Sequence, residues 1–157
     1  MSSALSLNRS AALASIGVAV LLVGLKAWAA WSTGSTAMLG SLADTVLDLV
    51  ASLATLAGVW VAAQPDDENH RFGHGKAEAL AAMFQVVLIS ISALSLAARA
   101  IEQWLGGARP AEAEGGIAVS LVAMVATFAL LAWQRHVIRR TGSLAISTDH
   151  VHYQSDL

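Results

Sequence analysis

Leu42-Ala43-Asp44-Thr45-Val46-Leu47-Asp48 sets two carboxylates in the middle of an apolar run that extends from Thr36 to Ala63. A spacing of four residues puts both on one face of a helix. In a low dielectric, two acids one turn apart cannot both stay ionised unless a cation or protons compensate them. No basic residue within the run does so. The plainer alternative is a structural pair, hydrogen-bonded to neighbouring helices or salt-bridged to Lys26 or Arg99.

The composition around this stretch is that of a membrane protein. Of 157 residues, 56% are hydrophobic and 13% charged, and the mean hydropathy is +0.62, too apolar for an ordinary water-soluble domain. A formal net charge of −2 provides no basic field for nucleic acid, so that class of partner is excluded. The chain has no cysteine, which removes disulfides and thiolate metal sites. A metal must then be held by His, Asp or Glu, and no organic cofactor is expected.

Four stretches are long enough to cross roughly 30 Å of hydrocarbon, which takes about 20 helical residues: 11–31, 36–63, 78–105 and 115–138. A fifth apolar segment, 143–157, holds only about 15 residues, or roughly 22 Å of helix. A charged terminus inside hydrocarbon is costly, so the expectation is a fragment: four complete transmembrane helices plus the start of a fifth. Trp28, Trp31, Trp60, Trp104 and Trp133 fall near the ends of the four spans, where amphipathic rings favour the interface, whereas Tyr153 does not. Arg9, Arg71, Lys76, Arg135, Arg139 and Arg140 gather on one side, against Arg109 and a snorkelling Lys26 on the other. That asymmetry places the N-terminus in the cytoplasm. The alternative for the first span is a cleavable signal peptide ending at Ala27-Trp28-Ala29, against which Lys26 and Trp28 argue. Abundant Ala, Gly and Ser suit closely packed helices.

His152 and Asp156 repeat the spacing of four on the fifth helix. Counted from the cytoplasmic helix ends, Asp48 and Asp156 both lie about 15 residues deep, roughly 22 Å, so the two pairs can meet at one level. Three Asp oxygens and one imidazole nitrogen make a shell that tetrahedral Zn²⁺ accepts and that Fe²⁺, Co²⁺ or Cd²⁺ can use. Asp149, one turn nearer the cytoplasm on the same face, is placed at the entrance. His150 points about 200° away from His152 around the helix. The competing reading of His152 and Asp156 is a surface cap on a short amphipathic tail. Between the second and third spans, Asp66-Asp67-Glu68-Asn69-His70-Arg71-Phe72-Gly73-His74-Gly75-Lys76 gathers two of the five histidines with acids. Asp67, His70 and His74 are spaced to wrap one metal, or are incidental members of a solvated loop. Glu78 then opens the third helix with a favourable negative charge.

The Ser-x-x-Asp-x-x-x-Asp arrangement at Ser41, Asp44 and Asp48, the Asp67-to-Glu78 loop, and the terminal His152-Tyr-Gln-Ser-Asp156 together resemble the cation diffusion facilitator family, in its ferrous-iron and zinc efflux branch. The resemblance covers essentially the whole chain. It implies the front part of an all-α, six-helix homodimeric antiporter in a bacterial-type inner membrane, carrying Zn²⁺ or Fe²⁺ outward against protons. It carries the transport site onto Asp44, Asp48, His152 and Asp156, a second zinc site onto Asp67, His70 and His74, and a dimer contact onto Lys76. The sixth span and the C-terminal cytoplasmic domain usual in the family are absent from this sequence. Two other classes compete: a non-transporting membrane protein that binds metal or a full-length partner, and an intramembrane metal hydrolase, which lacks an open coordination position and a separate base.

Overall fold

A computed structural model of the chain describes residues 2–34, 36–65, 70–106 and 114–155. The regular elements within them are all α-helices: α1 Ser2–Thr33, α2 Thr36–Ala62, α3 Lys76–Gly106, α4 Glu114–Thr141 and α5 Leu144–Ser155. The first four are long and apolar enough to cross a bilayer, over Ala4–Thr33, Met38–Ala62, Lys76–Gly106 and Ile117–Thr141. α1 starts at Ser2, well before the apolar run at Ala11, because nothing in Ser3 to Ser10 breaks a helix and the apolar span is only part of it.

Glycine sets two of the turns. Gly34, with φ 64°, follows α1 and donates its N–H to Ala30 O at 2.9 Å. Gly142, with φ 66°, does the same to Ile138 O at 2.9 Å after α4. Both occupy the left-handed C-terminal cap that a side chain would strain. The start of α5 is capped from its own chain and from α3. Ser143 Oγ accepts from Ile146 N at 3.4 Å and donates to Glu78 Oε2 at 2.8 Å, while Leu144 N donates to the same carboxylate oxygen at 3.2 Å. One acid in the first turn of α3 thus serves two helix N-termini, where negative charge is favoured.

α1 packs along α2 and α4, and α3 packs on α2 and α5. α5 is central, touching each of the other four. Small residues make the close approaches: Ala11, Ala12, Ala51 and Ala145 are fully buried, around Val59, Val137 and Ile146. Gly58 is the tightest point. A Cβ there would stand 2.5 Å from Ala81 Cβ and 3.1 Å from Ala77 O, so α2 and α3 cross almost backbone to backbone. α3 is the least enclosed span, with 17% of its apolar window buried against 33% for α2, and Leu94, Leu96 and Trp104 point outward. Trp28, Trp31, Trp60, Trp104 and Trp133 are all exposed, as an interfacial belt requires, whereas Tyr153 is 2% exposed.

A polar node ties the bundle together. Asp149 is completely buried. Its Oδ1 accepts from Gln85 Nε2 of α3 at 2.8 Å and Thr55 Oγ1 of α2 at 3.5 Å. Its Oδ2 accepts from Ser15 Oγ of α1 at 2.6 Å and Gln134 Nε2 of α4 at 2.7 Å. One carboxylate of α5 therefore collects a donor from every other helix, which offsets the large cost of burying it. Next to it, Tyr153 Oη meets Ser52 Oγ at 2.9 Å and donates to Ser15 O at 3.2 Å.

Asp149→Ala removes the one acceptor on which two glutamine amides and two hydroxyls converge, leaving them only their weaker mutual and backbone bonds, and is expected to lower stability by about 3 kcal/mol. Thermal unfolding in detergent reads this as a fall in midpoint. Asp149→Asn should fall nearly as far, because its amide turns a donor toward donors.

Candidate metal-transport site

α2 carries Asp44 and Asp48 to the lining of a cavity of about 340 Å³, and α5 brings His152 to the same lining beside Asp48. His152 Nε2 lies 3.1 Å from Asp48 Oδ1, with the imidazole side chain 3% exposed and the carboxylate 16% exposed. The ring orientation is supported by Tyr153, whose ring meets it edge-on at 5.6 Å between centroids. Ser155 lines the same cavity one turn along. The registration of α5 that brings His152 here follows from the anchored residue one turn before it, Asp149.

Asp44 sits farther out. Its carboxylate is 45% exposed and 3.7 Å from Arg99 Nη1, which is itself 52% exposed. A loose pair this open to solvent contributes little, so the salt-bridge alternative to a functional role accounts for Asp44 only weakly. Asp48 has no such arginine. Lys26 lines the same cavity and donates to Thr45 Oγ1 at 2.6 Å. That placement differs from the snorkelling position expected from sequence: the ammonium turns into the bundle, where hydroxyl and carbonyl oxygens can take its hydrogens.

Asp156, the fourth ligand expected, lies outside the described residues, as does Asp67 of the loop. Among the described residues no three His, Asp or Glu side chains form a group able to hold a metal. Asp48 and His152 are brought together, with Asp44 on the same cavity wall. His70 and His74 are also brought together, their ring centroids 4.4 Å apart and tilted by 38°. Lys76 is exposed at the first residue of α3. Asp149 does not line an entrance. It is enclosed, because donors from four helices converge on the level at which it projects. His150, set aside as a ligand, rests with Nδ1 3.3 Å from Gln134 Oε1.

Sequence reasoning passed over Gln85 and Gln134, and weighed Lys26 as an inward partner of the acids as well as a snorkelling one. The signal was available: Gln85 and Lys26 interrupt apolar runs, in Phe84-Gln85-Val86 and Leu25-Lys26-Ala27, and Gln134 ends one after Trp133. A polar group at such depth needs a partner, and two amides and an amine were there to be matched with the acids.

Residues 12–157 match the cation efflux transmembrane domain. The chain belongs to the cation efflux family. Among its relatives are the cation-efflux pump FieF of Klebsiella pneumoniae, 47% identical over 148 residues, and that of Escherichia coli K12, 44% identical over 147 residues. Each alignment covers 94% of this chain and 49% of the relative, so the chain spans about half the length of the relatives it matches. Membership in this family makes the four apolar helices spans of a multi-pass membrane protein.

Arg99→Ala is expected to change stability by less than about 1 kcal/mol, since the Asp44 pair is half exposed and screened. The same thermal measurement in detergent checks it against the far larger loss at Asp149.

Proposed function

We propose that this chain forms the transport site of a proton-driven exporter of divalent metal, with Asp44, Asp48, His152 and Asp156 as the ligands and Zn²⁺ as the favoured ion. The observation that carries the reading is the 3.1 Å approach of His152 Nε2 to Asp48 Oδ1 at the edge of a cavity inside a membrane bundle. Asp156 follows His152 by one helical turn, and Asp44 precedes Asp48 by one, so each extends its partner's face toward the same space. Carboxylate oxygens and imidazole nitrogen suit Zn²⁺ and also Fe²⁺, Co²⁺ and Cd²⁺.

The pair also supplies the coupling. His152 Nε2 and Asp48 Oδ1 stand 3.1 Å apart, and each offers a lone pair that either a proton or a metal can take. Protons and metal then compete for the same lone pairs, so each binding event expels the other. With alternating access to the two sides of the membrane, that competition converts a proton gradient into metal export. The cytoplasm is the loading side, following the arginine and lysine asymmetry that places the N-terminus there. His70, His74 and Asp67 form a second, loop-borne metal site, and Lys76 beside them belongs to a homodimer contact. The printed names of the relatives, cation-efflux pumps, support the direction of transport.

In the intact protein reconstituted into vesicles, Asp48→Ala and Asp156→Ala are each expected to abolish Zn²⁺-driven proton flux. Unchanged flux in either variant rejects the ligand assignment. Calorimetry of Zn²⁺ binding in buffers of different ionisation enthalpy should show proton release, with apparent affinity falling as pH is lowered.

A further inference from the structure

We propose that the Lys26 ammonium is a built-in cation of the transport site, which limits metal affinity so that the ion can leave. The proposal rests on the ligand assignment above and concerns how tightly that site holds its cargo.

Lys26 interrupts the run Leu21-Leu22-Val23-Gly24-Leu25 on α1, where an unpartnered ammonium is costly. The fold holds it inward rather than releasing it to the interface. Its Nζ donates to Thr45 Oγ1 at 2.6 Å and reaches Ser41 O at 3.5 Å. Thr45 is 1% exposed and bonds back to Ser41 O at 3.1 Å, so the acceptor is itself fixed. Ser41 and Thr45 bracket Asp44, and Thr45 precedes Asp48 by one turn. The ammonium is thus held within about a turn of both transport carboxylates along α2.

Two cavities meet at this point. The larger, about 340 Å³, is lined by Lys26, Asp44, Asp48 and His152, and a second of about 240 Å³ is lined by Lys26, Asp48, Thr127 and Tyr153. Lys26, Ser41, Thr45 and Asp48 form the wall common to both. An amine in a shared wall faces whatever cation enters either space.

Its hydrogen-bond partners decide what it does there. Both are neutral oxygens, so no direct ion pair within the described residues absorbs its charge. That charge acts through space on the metal position. The same charge repels the metal. A unit charge acting on a divalent ion at roughly 10 Å in an intermediate dielectric shifts binding by about tenfold or more.

A purely structural tether between α1 and α2 predicts something different, namely loss of folding or activity without tighter binding. In the intact protein, Lys26→Met and Lys26→Gln should bind Zn²⁺ at least about tenfold more tightly by calorimetry. In vesicles both should show a lower KM and a lower kcat, as release becomes slow, and Lys26→Arg should restore both constants. Asp48→Ala is measured in parallel. If it loses Zn²⁺ while Lys26→Met and Lys26→Gln bind no more tightly than the unaltered protein, the Lys26 role is overturned and the ligand assignment stands. If Asp48→Ala binds Zn²⁺ normally, the ligand assignment is overturned and the Lys26 role goes with it.

Discussion

A single carboxylate, that of Asp149, fixes where α5 lies in this bundle. Burying an ion in a membrane protein is tolerated only where polar groups are already aimed at it, and here α1, α2, α3 and α4 each contribute one such group. The five elements are thereby held at one depth and one rotation. Apolar contacts alone would not do this, because in lipid a leucine gains little by exchanging a lipid neighbour for a helix. Hydrogen-bond direction supplies the uniqueness that hydrophobic burial supplies in water.

The functional geometry inherits that order. Helical rise and twist carry the fixed position of Asp149 to His152, one turn on, and the imidazole arrives at Asp48. The Glu78 carboxylate holds the beginning of the same helix through Ser143 and Leu144. Between them the two acids define both the start and the middle of α5. The approach of His152 to Asp48 thus stands apart from the hydrogen bonds that Asp149 and Glu78 make to α5 and its neighbours.

The four spans were legible because length and hydropathy suffice for them, and the paired acids at 44 and 48 were legible because charge inside an apolar run has few explanations. Helical depth allowed the pair at 44 and 48 and the pair at 152 and 156 to reach one level, while the 3.1 Å approach of His152 to Asp48 depends also on how the two helices are rotated. Asp149 was misread as an entrance residue, since helical register gives the direction in which a side chain projects but not what waits there. What waits are Gln85, Gln134, Thr55 and Ser15, each on a different helix, and their convergence depends on helix packing that no local pattern states. Lys26 stayed open between an interfacial and an inward reading for the same reason: its reach toward the interface or toward Thr45 is decided by the neighbouring helix.

The near-contact of backbones at Gly58 turns the α2–α3 crossing into a fulcrum. With no side chain between them, the two helices can rotate about that spot more easily than they can slide past it, since sliding drives Ala77 and Ala81 into the glycine. Asp48 lies about ten residues, roughly 15 Å, along the lever from this point. A tilt of about 10° then sweeps its carboxylate through roughly 2.6 Å, nearly the whole of the 3.1 Å that separates it from His152. A glycine far from that pair is therefore placed to decide whether the two side chains meet or part.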